Sequence, residues 1–95
     1  MKVYSIEAGS IDSDGADTTI GIHYEYDTAM GYAKVMANKI VRGAAEYGER
    51  DYKVHYEYEG PEGEPHNYGK VSVYAGDSPG WADYWYIIRE WIVNP

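Results

Sequence analysis

The sequence contains no cysteine, no leucine, no phenylalanine and no glutamine. Without cysteine there is no disulfide, no thiolate metal ligand and no thiol nucleophile. Without leucine and phenylalanine, a core has to be filled by Ile, Val, Ala and Met together with twelve tyrosines and three tryptophans. A tyrosine hydroxyl needs water or a partner, so many of these rings are expected at the rim of the core, where exposed ones make a surface suited to binding. Long apolar runs are also missing, and Lys2 has none behind it. Neither a membrane span nor a signal peptide is therefore expected, and the default compartment is the cytoplasm (the host's, for a viral protein). Positive charge is scarce: eight Lys and Arg face sixteen Asp and Glu, for a formal net charge of −8. That sign disfavours direct contact with nucleic acid or an anionic membrane and favours a basic partner. Solubility or adaptation to high salt would give the same composition. The 95 residues suffice for a single domain, residues 1–95, with one small core.

What is present is a phrase used twice. Ile22-His23-Tyr24-Glu25-Tyr26-Asp27 and Val54-His55-Tyr56-Glu57-Tyr58-Glu59 match in residue type at every position. Alternation with period two marks a half-buried strand. It puts Ile22, Tyr24, Tyr26 and Val54, Tyr56, Tyr58 inward, and His23, Glu25, Asp27 and His55, Glu57, Glu59 outward.

The remaining elements fall around these strands. Residues 2–8 alternate as a first strand with Tyr4, Ile6 and Ala8 inward, and residues 9–17 form a turn-rich connection. Asp12-Ser13-Asp14-Gly15 does not fit a calcium loop, because no register places both the glycine and a terminal glutamate correctly. Strand two covers about Thr18–Tyr26. Asp27-Thr28 then caps a helix over Thr28–Tyr47, with Ala29, Tyr32, Ala33, Met36, Ile40, Ala44 and Tyr47 on its apolar face and Gly48 ending it. Gly31 and Gly43 lower helix propensity, which close packing on a sheet would explain. Lys34, Asn38 and Arg42 share another face of this helix. Strand three is Asp51–Glu59, residues 60–67 form a polar loop, and strand four is about Tyr68–Ala75. Asp77-Ser78-Pro79 sets up a second helix through Trp81, Tyr84, Trp85, Ile88, Trp91 and Ile92. The same stretch is rich in β-formers, and a fifth strand is the alternative. The expected fold is α+β: a mainly antiparallel four-stranded sheet with helices on one face (ββαββα), or a five-stranded sheet with one helix (ββαβββ).

Catalytic signatures are sparse. No serine sits in a nucleophile elbow, and Gly60-Pro61-Glu62-Gly63-Glu64 is too acidic to cradle phosphate. If strands two and three were neighbours, His23, Glu25, His55 and Glu57 would meet on one face, a donor set suited to zinc or a non-haem metal in a small enzyme. A solvated polar face is the plainer reading, so no cofactor or metal is expected. The same adjacency would gather Glu25, Asp27, Glu57 and Glu59, extended by Glu62 and Glu64 and flanked by His23 and His55, into a compact negative patch. Its charge spacing approaches that of a nucleic-acid backbone.

In size, charge, lack of cysteine and acidic tyrosine-rich strands the chain resembles the small acidic inhibitors encoded by phages, anti-CRISPR proteins and DNA mimics among them. These share no common motif, so the resemblance transfers no residue roles. It implies a non-enzymatic inhibitor or decoy that occupies a basic protein surface, such as that of a nucleic-acid-guided nuclease complex, through the acidic strand face. Lys34, Lys39 and Arg42 depart from a pure DNA mimic and suit a mixed protein surface. A structural or interaction module, dimerising through a sheet edge, is the alternative.

Overall fold

The computed structural model describes residues 1–12, 17–48, 50–59 and 67–94, with Tyr58 and Glu59 described by their backbone alone. Its order is β1 (Lys2–Ser10), β2 (Thr18–His23), α1 (Tyr26–Glu46), β3 (Lys53–Glu59), β4 (Tyr68–Tyr74), a single 3₁₀ turn (Pro79–Trp81) and β5 (Tyr84–Ile92). The five strands form one antiparallel sheet in the order β2-β1-β5-β4-β3, and α1 packs across one face. This is the five-stranded, one-helix form of the α+β fold.

The second helix expected after Asp77 is therefore a strand, and it is the central one. The capping signal serves only the 3₁₀ turn: Ser78 Oγ accepts from Gly80 N at 3.2 Å, with Pro79 at the turn's start. Beyond it, Tyr84-Trp85-Tyr86-Ile87-Ile88 is dense in aromatic and β-branched side chains. Both neighbours of β5 offer long ladders, so sheet pairing overrides the helical spacing.

Cross-strand partners share a face, which sorts the sheet. The helix-covered side carries Tyr4 and Ile6 on β1, Tyr84, Tyr86 and Ile88 on β5, Gly69, Val71 and Val73 on β4, and Val54 and Tyr56 on β3. Ile6, Ile88, Val71 and Val73 are fully enclosed there, each contributing about 1.5–3 kcal/mol by burial. From the helix, Ala29, Ala33 and Ala37 meet them with no exposed surface, so small side chains let the helix axis approach the sheet.

The helix begins at Tyr26, two residues before the expected start at Thr28. Glu25 occupies the N-cap position in extended backbone without a side-chain cap bond, and Asp27 lies in the first turn, where the helix dipole favours an acid. The early start buries Tyr26. Its ring stands edge-on to Tyr4 at 6.0 Å, and its hydroxyl donates to Tyr68 O at 3.3 Å. The buried stripe is thus Tyr26, Ala29, Met30, Ala33, Ala37 and Ala44, while Tyr32 and Tyr47 are exposed. Gly48, with φ +66°, follows the C-cap Tyr47 as expected.

Gly31 and Gly43 do not mark close packing, because a Cβ at either would meet nothing within 4 Å. The glycine that admits the helix is Gly69 on β4, where a Cβ would collide with the Tyr26 hydroxyl and Met30 Cε.

Candidate functional site

The sheet order separates the two repeated phrases. β2 and β3 are opposite edges, with β1, β5 and β4 between them. His23 and Glu25 therefore cannot share an ion with His55 and Glu57. The helical connection that suggested parallel neighbours instead carries the chain across the sheet to its far edge. Among the described residues, no group of three or more His, Cys, Asp or Glu could hold a metal. The compact patch Glu25, Asp27, Glu57, Glu59 is likewise not assembled, and Glu62 and Glu64 lie outside the described residues.

The first phrase is also turned over. A bulge between Ile6 and Glu7 of β1 leaves Ile20 unmatched, and beyond it Tyr4 pairs with His23 and Ser5 with Ile22. One extra residue exchanges the faces. His23 thus lies on the helix side, its ring 5.7 Å from that of Tyr32, and Ile22 faces away, 66% exposed. Tyr24, past the strand end, is 76% exposed. The second phrase keeps its expected faces: Tyr56 lies on the helix side with Lys34 Nζ 4.9 Å from its ring centroid, and His55 Nε2 is 3.4 Å from Glu57 Oε1 on the other.

No described element covers the sheet's second face, and its side chains bond to one another across the strands. Trp91 Nε1 donates to the buried Ser5 Oγ at 2.8 Å, and Trp85 Nε1 to Asp17 Oδ1 at 2.9 Å. Arg89 is paired with Glu7 and stands 5.6 Å from the Tyr68 ring centroid. Lys70 lies opposite Glu57, and Lys53 shares that strand face. Acids and bases are mixed here, so this face is not the acidic surface expected of it.

Negative charge gathers instead where β1, β4 and α1 end and β2, β3 and β5 begin. Asp12, Asp17, Glu46, Asp51 and Asp77 are all exposed at this end. The helix presents its C-terminus here with no basic residue in its last turn, so its dipole adds to the field. Trp81, 84% exposed, and Tyr47 are at the same end, Trp81 between β4 and β5 and Tyr47 at the C-cap of α1. The end is organised by Asp83, which sequence reading missed because nothing local distinguishes it. Its mostly buried carboxylate accepts from Tyr52 Oη at 2.7 Å and pairs with Arg50 at 3.0 Å, while its backbone joins Ile11 and Val73. Burial, then the Asp83 carboxylate, push the Tyr52 phenol up to about 12. At the opposite end Tyr4 donates to Glu90 at 3.1 Å, and burial followed by that contact raises its pKa too.

Between β2 and α1 lies an open depression of about 220 Å³, lined chiefly by Ile20, His23, Tyr32 and Met36, with Ile6 beneath. On the opposite flank, Lys34 reaches across to Tyr56 instead.

No family model matches the chain, and neither a curated protein nor a solved structure does. Among the described residues, no helix is long and apolar enough to cross a membrane.

Proposed function

We propose that the protein is a non-enzymatic binding protein, an inhibitor or decoy that occupies a basic surface of a nucleic-acid-processing complex. The observation that carries this reading is the acidic end. Asp12, Asp17, Glu46, Asp51 and Asp77 share one end of the sheet with two exposed aromatic side chains, Tyr47 and Trp81, and with the negative terminus of the helix dipole. Aromatic anchors within a charged rim combine desolvated contact area with electrostatic steering. The net charge of −8 extends that field over the whole molecule. The binding surface is thus moved from the strand faces of the repeated phrases to the end of the sheet.

The test is inhibition of a nucleic-acid-guided nuclease, with the combined variant Asp12→Lys, Glu46→Lys, Asp51→Lys and Asp77→Lys beside the wild type. Stoichiometric loss of cleavage that the variant does not cause, and that weakens as salt rises, is the expected result. Inhibition that survives both the reversals and high salt would refute an electrostatic decoy. So would a wild-type protein that captures no basic partner from cells carrying such a nuclease.

A further inference from the structure

Two indoles lie along the open face of the sheet, each held there by a hydrogen bond from its ring. Trp85 reaches from β5 across Gly9 of β1, and its Nε1 donates to Asp17 Oδ1 at 2.9 Å. Gly9 makes room for this, because a Cβ there would collide with Trp85 Nε1 and Cε2 and with Asp17 Oδ1. Trp91 reaches over the same strand to Ser5, whose buried Oγ accepts from its Nε1 at 2.8 Å. Trp91 nevertheless remains 52% exposed. Small β1 residues at both rings, and a bond at each ring nitrogen, fix the indoles in advance. A ligand that stacked on them would cost little further side-chain freedom.

Ser5 and Gly9 are four residues apart on one strand, about 13 Å. Between them Glu7 accepts from Arg89 Nε, and the Arg89 guanidinium stands 5.6 Å from the Tyr68 ring centroid. The face thus presents ring, charged pair and ring in one row, with Tyr68 beside the pair.

The occupant follows from what this face can and cannot offer. β1 and β5 are paired on both sides, so their backbone is not open to an added strand. Among the described side chains of the face, Lys53, Lys70 and Arg89 are balanced by Asp17, Glu7 and Glu57. The whole chain carries −8. A polyanion such as single-stranded nucleic acid is therefore repelled overall and finds no basic track to follow. A second copy laid face to face would have to desolvate the Arg89–Glu7 pair of both molecules. An uncharged sugar chain meets neither obstacle. Its rings carry flat C–H surfaces that pack on an indole, and its hydroxyls both donate and accept, as a guanidinium beside a carboxylate requires. Two platforms about 13 Å apart are beyond a single sugar ring and within reach of a short chain. We infer that this face binds an uncharged oligosaccharide, its rings stacked on Trp85 and Trp91 and its hydroxyls bonded to Arg89 and Glu7. Apart from Asp17, no residue of the acidic end takes part, and the site stands without the inhibitor reading.

Titration of the full chain with cellohexaose, chitohexaose, mannohexaose and maltohexaose tests this, beside a heparin hexasaccharide and a thymidine decamer as polyanions. At least one neutral chain should bind and shift the indole N–H resonances of Trp85 and Trp91, leaving that of Trp81 in place. Trp91→Ala should weaken that binding about tenfold or more, and Trp81→Ala should not. The resonance shifts are read on the wild type, so they decide the matter even if Trp91→Ala does not fold. The variant reversed at Asp12, Glu46, Asp51 and Asp77 should keep its sugar affinity whether or not it inhibits a nuclease, which separates failure of that reading from failure of this one. Three outcomes would overturn the inference: no binding of any neutral chain at millimolar concentration, binding that moves neither indole resonance or survives Trp91→Ala intact, or tighter binding of either polyanion. The last would make the face a polyanion track.

Discussion

Two nearly identical hexapeptides end on opposite edges of one sheet and build opposite kinds of edge. Val54–Glu59 stays a strand throughout, held in register by β4, with charged side chains that discourage further pairing. Ile22–Asp27 is a strand for two residues and a helix from its fifth. The residues immediately after each copy decide between these outcomes. Gly60-Pro61 cannot continue a helix, whereas Thr28-Ala29-Met30 can, and starting the helix at Tyr26 seats that ring against Tyr4 and β4. A six-residue pattern is thus a statement about alternation, and its context selects the element that uses it. The result is one edge closed by charge and one left open beside a pocket.

The largest predicted effect separates the two flanks of the helix. Gly69→Ala places a Cβ on the Tyr26 hydroxyl and Met30, where the helix start rests on β4. Overpacking there should destabilise the fold by about 1–3 kcal/mol and lower Tm by roughly 5–20 °C. On the β2 side, Gly21→Ala meets only the His23 ring at 3.3 Å and Ile6 Cδ1 at 3.8 Å. Its effect should stay below about 1 kcal/mol. Thermal unfolding of both variants checks this, and equal losses would mean the helix is seated no more firmly on one flank than on the other.

Next in size is the tie that holds the start of β3 to β5. Tyr52→Phe removes the hydrogen bond to Asp83 and should lower stability by about 1 kcal/mol at neutral pH. The phenol of Tyr52 is raised from 10.0 to about 12 in the fold, so the neutral form is the one the native state favours. Its contribution is complete below pH 10 and is lost as the pH rises toward 12. Denaturant midpoints between pH 9 and pH 12 should therefore fall more steeply in wild type than in Tyr52→Phe. Parallel curves would show that the contact with Asp83 does not couple ionisation to folding.

Smaller, and of opposite sign, is the exposed face of the helix between the edges. Gly31 has open space where a Cβ would stand, so Gly31→Ala should stabilise by about 0.5–1 kcal/mol through backbone entropy alone. A loss of stability on urea titration would instead reveal a requirement for glycine there.

How much of this was legible in the sequence depends on where each signal resides. The long helix, four of the strands and Ser78 as a cap are local patterns, and they appear where the residues indicate. The fifth strand was legible only as an alternative, because Trp81, Tyr84, Trp85 and Ile88 satisfy a helical spacing as well as a β-former composition. Adjacency was not legible at all. That β5 inserts between β1 and β4, and so drives β2 and β3 apart, is decided by ladders between residues up to ninety apart. The inversion of His23 and Ile22 rests on the single unmatched residue Ile20, which no periodicity reveals. The metal site and the strand-face patch depended on adjacency and faces together. The acidic end had a visible signal, since its acids lie in turns or at element ends, but only the topology brings those turns to one end.

The smallest effect on stability should come from the charges that bracket the open edge, and it sharpens the contrast most. If acids at both ends of β2 prevent pairing with a second copy, then Asp17→Asn, Glu25→Gln and Asp27→Asn together should turn a monomer into a concentration-dependent dimer. Neutralising Glu46, Asp51 and Glu57 removes as much negative charge near the other edge, where Lys53 and His55 still interrupt the strand, and should leave the protein monomeric. All six side chains are exposed, so each change should alter stability by no more than about 0.5 kcal/mol, Asp17 and Asp27 a little more because the first accepts from Trp85 Nε1 and the second sits in the helix's first turn. Sedimentation of both variants across a concentration series distinguishes the cases. Dimerisation of both would point to the loss of bulk repulsion. Dimerisation of neither would mean that the bulge at Ile20, and not the flanking charge, keeps β2 from its own kind.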